Sequence, residues 1–437
     1  MTPFEIGLMA LGGMGLLVMG GMFVPIALIL MSFLGVWAIK GSPILAAKML
    51  GLAANDAIAS YFFGVVPLFV LMGFIVSEAG IGRDAFAVAN AMFRRIKGGL
   101  GVGTVAANAI FAAVTGISIA SAAVFTKIAV PEMRRHGYTA RFSVGVVAGS
   151  SVLGMLIPPS LLLILFGLLA EQSIGDLFVA GIVPGLLLAA FFGFGVIGMA
   201  IFAPNFVGST LQAGADDDAM SGRELVLKAL PITALIALVL GGIYRGFFTP
   251  VEAGAIGTIG ALIIGLIKRS LSLPALWRVL VDTGLVTASV CFLIIAAQMY
   301  SRMLAFSGVP GAFGEMAAHA DLDLLGLMLL YVGIVILLGM ILDSSSIMLI
   351  LVPLMLPIII PLGVDLVWFG IVTVIAVEIG LLTPPFGISV YVIKSTLDDD
   401  EVSLGDIFIG AAPFALLMLV CLGLIIVFPS IATGLLN

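Results

Sequence analysis

Apolar residues run along this chain in long blocks separated by short polar stretches. The blocks fall at about 5–39, 57–78, 99–130, 141–170, 176–204, 227–246, 250–267, 283–303, 325–361, 366–394 and 407–433. About 20 apolar residues in helical form cross the hydrocarbon of a bilayer. A membrane core accepts only helices or closed barrels, because every backbone polar group must find a partner inside the protein. Barrel strands are runs of about 9–11 alternating residues, which these blocks do not resemble. The pattern therefore predicts an all-α polytopic membrane protein. Block 5–39 could form one long helix or two short ones broken at Pro25, and the pattern does not choose.

The blocks carry punctuation that repeats. Ser118 matches Ser344, Pro131 matches Pro357, Gly137 matches Gly363 and Gly154 matches Gly380. Pro158-Pro159 matches Pro384-Pro385 at the same spacing. Ser173, Gly175, Asp176 and Phe178 recur as Ser403, Gly405, Asp406 and Phe408, and Phe23 and Pro25 as Phe248 and Pro250. The amphipathic stretch 41–56 is like 271–282, with Pro43 against Pro274. Two repeats are expected, 1–204 and 227–437, joined by a polar linker 205–226 that holds Asp216, Asp217 and Asp218.

Basic residues orient the repeats. Arg94, Arg95 and Lys97 precede block 99–130, and Arg134, Arg135 and Arg141 follow it. Lys and Arg mark the cytoplasmic side, so this block is expected to enter and leave on one face. It must then turn back within the membrane, at Thr115-Gly116-Ile117-Ser118, where the turn chemistry lies. Block 325–361 has Asp321, Asp323 and Asp365 at its ends and no Lys or Arg nearby. It is expected to dip in from the outside, with its tip at Asp343-Ser344-Ser345-Ser346. Hairpins entering from opposite faces define an inverted-topology repeat. Lys40 and Lys48 fit this scheme poorly.

The breaks are where chemistry is expected. Paired prolines remove backbone donors and bar helical geometry in the residue before them. At Gly154–Ser160 and again at Gly380–Pro385, a helix must stop and restart, as broken helices 141–170 and 366–394. Carbonyls left by such a break can hold a cation, and a half-helix N-terminus favours an anion. Asp343 could bind a cation or simply cap the half-helix that follows. Glu378 could face the site or pair with a neighbour. Lys127 could snorkel to the basic face or reach the tip. His136 and His319 lie in polar loops and are expected to be inert.

Composition narrows the class. The chain is 62% hydrophobic and 10% charged over 437 residues, against about 25% charged in a soluble domain. The net charge of −6, drawn largely from Asp216–Asp218 and from Asp398 to Glu401, gives no reason to expect nucleic-acid binding. Cys291 and Cys421 lie in apolar runs without metal-ligand spacing. There is no phosphate-cradling GxxxxGK[ST] and no HExxH, and no Ser-His pair within an apolar block, so an enzyme is not expected. A channel built from inverted repeats with re-entrant loops is the rival reading.

The stretch Gly-Met-Leu-Ile-Pro-Pro-Ser from Gly154, Leu-Asp-Ser-Ser-Ser from Leu342, Pro250-Val251-Glu252-Ala253-Gly254 and Leu382-Thr383-Pro384-Pro385 resemble, in this order, the large membrane subunit of tripartite ATP-independent periplasmic (TRAP) transporters, the DctM-like family. The resemblance covers nearly the whole chain. It implies a Na+-driven importer of small organic anions in the cytoplasmic (inner) membrane of a bacterium or archaeon. It implies an elevator-type fold and two partners, a small four-helix membrane subunit and a periplasmic substrate-binding protein. One Na+ site would use Ser118, Ser121, Gly154 and Pro158, and the other Asp343, Ser344, Ser345, Gly380 and Thr383. Substrate would lie between the tips, near Thr115, Pro159, Ser160, Thr383 and Pro385. The family often has more serines at the first tip than this chain does. A stand-alone symporter of the same fold is the alternative within the class, and the identity of the organic acid is left open.

Overall fold

A computed structural model describes residues 1–208, 220–319, 323–397 and 402–436. Asp216–Asp218, Asp321 and the acidic run from Asp398 to Glu401 lie outside the described residues. Among the described residues the regular structure is helical, apart from one isolated bridge between Tyr138 and Gly208. Seven helices there are long and apolar enough to cross a membrane, or up to eight if one bent pair is a single span.

Block 5–39 forms two helices, α1 (Pro3–Met19) and α2 (Val24–Lys40). The chain turns at Gly20 and Gly21, and Pro25 lies in the first turn of α2 rather than in a kink. Proline suits a first turn because its missing N–H has no partner there anyway. Next come α3 (Pro43–Ala59), α4 (Val65–Glu78) and α5 (Ile81–Phe93). Block 57–78 was expected as one unit, but its first residues finish α3. Helix α5 leaves α4 at 64°, through Gly80 in left-handed backbone at φ 72. Its polar residues Arg83, Asp84 and Asn90 interrupt the apolar run, so the block pattern carries no sign of it.

The middle of the chain contains α6 (Gly99–Thr115), α7 (Ser118–Arg135), α8 (Ala140–Ser151), α9 (Leu153–Leu156), α10 (Leu161–Ala170), α11 (Ile174–Phe202) and the single turn α12 (Pro204–Val207). The segment from α8 to α10 is almost wholly enclosed by other helices. After the linker follow α13 (Gly222–Tyr244), α14 (Pro250–Ile267), α15 (Leu273–Ser307) and α16 (Val309–His319). The last group is α17 (Leu324–Gly339), α18 (Ser344–Ile359), α19 (Leu366–Leu382), α20 (Ile388–Thr396), α21 (Leu404–Val427) and the turn α22 (Ser430–Thr433).

Paired sequence positions occupy paired structural roles. Ser173 and Ser403 each N-cap a long helix, accepting from the amides of Asp176 and Asp406. Gly137 and Gly363 both take left-handed backbone, and Pro158-Pro159 and Pro384-Pro385 are both cis. The likeness of 41–56 to 271–282 holds only at the start. Ser42 and Ser272 both cap helices with proline in the first turn, but α3 stops at Ala59 while α15 continues unbroken for 35 residues. Ion pairs tie the helices together at their ends: Lys268 with Asp84, Arg302 with Asp56, and Arg278 with Glu78 at 3.2 Å.

Candidate functional site

The first tip is a true reversal. Ser121 on α7 donates its hydroxyl to Asn108 Oδ1 on α6 at 2.6 Å. On one continuous helix these residues would stand roughly 20 Å apart. The chain turns at Gly116, which caps α6 at φ 65, and at Ile117, which is extended. A left-handed residue costs little only for glycine, and a β-branched residue prefers extended backbone. Thr115 remains helical and returns its hydroxyl to Phe111 O at 2.9 Å.

The first break receives this tip. After α9 the chain extends at Ile157, passes Pro158-Pro159, and restarts at Ser160, the N-cap of α10. The Ser160 hydroxyl accepts from Leu163 N at 3.2 Å and donates to Met155 O. The first amide of α10, Leu161 N, donates to Gly116 O at 3.1 Å. A Cβ on Gly116 would press on the Pro159 carbonyl, and one on Gly154 would sit 3.2 Å from Ser118 N. Asn108 Nδ2 donates to Ser150 Oγ at 2.6 Å, so one amide links both arms of the hairpin to α8.

The second tip and break meet in a similar way. Asp343 caps α18: its Oδ1 accepts from the amides of Ser345 and Ser346 at 3.1 Å, and its Oδ2 from the Ser346 hydroxyl. Its capping role is thus realised. At the break, Thr383 ends α19, donating its hydroxyl to Ile379 O at 2.7 Å and its amide to Gly380 O at 2.9 Å. Phe386 N donates to Met340 O at 3.2 Å, across from break to tip. A Cβ on Gly380 would come within 2.6 Å of Gly339 Cα, so α17 and α19 touch backbone to backbone.

The two assemblies converge on Glu378. This carboxyl is 1% exposed, and its Oε1 accepts from Ser344 Oγ at 3.3 Å. The Ser118 side chain lies beside the same carboxylate without completing a hydrogen bond, and Ser118 Oγ and Glu378 Oε2 are both buried without a partner. Ser118 and Ser344 are the first residues of α7 and α18, so the two returning helices open toward one group.

The expected residues therefore fall into two sets. Thr115, Ser118, Ser121, Gly154, Pro158, Pro159 and Ser160 form one, and Asp343, Ser344, Ser345, Gly380, Thr383 and Pro385 the other, with Glu378 between. Lys127 lies exposed on α7, nine residues beyond Ser118, and does not reach the tip. The environments differ. Residues 151–160 are all buried, whereas Pro384, Pro385 and Phe386 are exposed. Asn108 and Ser150 were missed by sequence reasoning. Their signal was a polar side chain inside an apolar block, which needs a partner at that depth. Among the described residues no cluster of three or more His, Cys, Asp or Glu could hold a metal. The groups here are hydroxyls, the carboxylates of Asp343 and Glu378, and backbone carbonyls at helix breaks, the set that could hold an alkali cation.

The family model described as the tripartite ATP-independent periplasmic transporter, DctM component, matches residues 11–431. The C4-dicarboxylate TRAP transporter large permease protein of Pseudomonas aeruginosa is 33% identical over 382 residues, covering 86% of each chain. The sialic acid TRAP transporter large permease protein of Vibrio cholerae is 30% identical, covering 96% of this chain and 95% of its own. Among solved structures, the Alcanivorax borkumensis YdaH transporter aligns over 87% of this chain and 88% of its own, with a TM-score of 0.61 at 15% identity. At that identity the likeness is one of fold.

Proposed function

This chain belongs to the DctM component family of tripartite ATP-independent periplasmic transporters, and from that premise we propose that it is the large permease of a Na+-coupled importer of a small organic acid. It is a multi-pass membrane protein, and its relatives are permeases rather than enzymes. We place it in the inner membrane. There it would work with a small membrane subunit and a periplasmic binding protein that delivers the substrate.

One observation carries the reading: two helix reversals, each seated on a proline-broken helix, meet at a buried carboxylate. Backbone irregular at membrane depth persists only where protein or a wet cavity satisfies it. In secondary transporters such interruptions hold substrate and coupling ion. Here the first tip and break would supply Ser118, Ser121 and the Gly154–Pro158 carbonyls to one Na+. The second would supply Asp343, Ser344, Ser345 and the Gly380–Thr383 carbonyls to another. Bound Na+ would supply positive charge where no Lys or Arg lies within either tip. The carboxylate of the substrate would then face hydroxyls and half-helix N-termini between Ser160 and Thr383.

In this reading residues 1–204 and 227–437 are the halves of an inverted repeat, and the hairpins would enter the bilayer without crossing it. The tip-and-break body would move against the remaining helices, as an elevator. Thr115 and Ser160 are sealed and the second break is exposed, so substrate would enter past Phe386.

The test is reconstitution in proteoliposomes with the binding protein and small subunit. Uptake of C4-dicarboxylates, sialic acid and other organic acids is measured with and without a Na+ gradient. Saturable, Na+-dependent uptake is expected, and it should be lost in D343A and S344A while the proteins still insert. Uptake indifferent to Na+, or undiminished in both variants, would contradict the reading.

A further inference from the structure

We propose that Glu378 is a positioning residue shared by the two sodium sites, a single buried carboxylate that balances the cation charge taken up by each. The proposal deepens the sodium reading above and rests on it. Four observations point to it. The group is deep in α19, whose residues Val367 to Leu382 are all buried, and no Lys or Arg lies within either tip. A lone carboxylate at such depth is costly unless something neutralises it. It touches both halves, through Ser344 at 3.3 Å and through Ser118 beside it. One oxygen on each side of the Ser118–Glu378 approach is unsatisfied. Finally, the matching position in the first half is Val152, so the charge is present once where the serines are present twice.

Asp343 serves the second tip alone, because both of its oxygens are engaged by the start of α18. A charge lying between the two sites would act on both cations, since Coulomb energy falls only as the inverse of distance. Glu378 would thus set the sodium affinity of both sites without defining either.

The test uses Na+ alone as probe. The purified protein is titrated with NaCl at constant ionic strength, and its thermal unfolding midpoint is followed. S118A reports the second site and S344A the first. E378Q keeps the shape and removes the charge. In the wild-type, S118A and S344A backgrounds alike, it is expected to weaken the Na+ response by roughly tenfold or more. A change in only one background, or in none, would overturn the proposal while leaving sodium coupling intact. No response in the wild type would remove the sodium reading and this proposal together. Where E378Q does not fold, E378D replaces it. A charge withdrawn by one methylene should still shift both sites in step, and a shift confined to one site overturns the idea equally.

Discussion

The backbone amide of Leu161 donates to the carbonyl of Gly116 at 3.1 Å, joining the start of a half-helix to the turn of a hairpin more than forty residues earlier. The contact is possible because Gly116 has no Cβ: one placed there would press on the Pro159 carbonyl, and the residue sits at φ 65. Gly116→Ala should cost at least about 1–2 kcal/mol from backbone conformation alone, with the collision added. We expect a lower unfolding midpoint and loss of Na+-dependent uptake, read by thermal melts and vesicle assays. A variant that melts and transports as wild type would argue against this seating.

Asn108 is the hub of the first tip, accepting from Ser121 and donating to Ser150, both at 2.6 Å. Asn108→Ala leaves the buried Ser121 hydroxyl without its acceptor and Ser150 without its donor, and an unsatisfied buried polar group costs about 1–3 kcal/mol. Ser150 retains Val146 O as an acceptor at 2.6 Å, so the loss should lie toward the lower end. Comparing N108A, S121A and the double variant by denaturation would show non-additive losses if the three form one network.

The exposure of the second break can be tested with thiol chemistry. In a background lacking Cys291 and Cys421, Phe386→Cys should react with a membrane-impermeant maleimide, because Phe386 is 52% exposed. Ser160→Cys, at 0% exposure, should not. Equal labelling of both, from the same side, would contradict the one-sided opening.

Arg141 and Asp406 pair at 2.6 Å across the crossing of α8 and α21, both partly exposed. Exposed pairs contribute roughly 0.2–1 kcal/mol, so R141A should shift stability by less than about 1 kcal/mol. Directly below, a Cβ on Gly410 would meet the Arg141 carbonyl and lie 3.1 Å from Gly145. Gly410→Ala should therefore be the more damaging change, by about 1–3 kcal/mol as overpacking usually is. Melting curves of the two variants would rank them.

Much of this architecture was readable because its punctuation is local. Proline pairs, Gly116 and the Asp343 cap act on their own neighbours, so the positions of both tips and both breaks followed from residue type. What eluded the pattern depends on distance. Nothing near Asn108 says that Ser150, forty-two residues on, will come to meet it. Glu378 was visible as a buried charge, but its place between Ser118 and Ser344 is a property of the assembled fold. Helix α5 escaped because its polar residues broke the apolar run, and the continuity of α15 escaped because Pro274 looked so like Pro43.

That unbroken α15 sets a scale for the whole molecule. Thirty-five helical residues measure roughly 50 Å end to end, while the oily slab is only about 30 Å thick. Such a rod must lean steeply or stand clear of the lipid at one end, and it cannot shorten. In the proposed elevator it would act as a mast of constant height, a still measure beside which a cargo-bearing part would rise or sink.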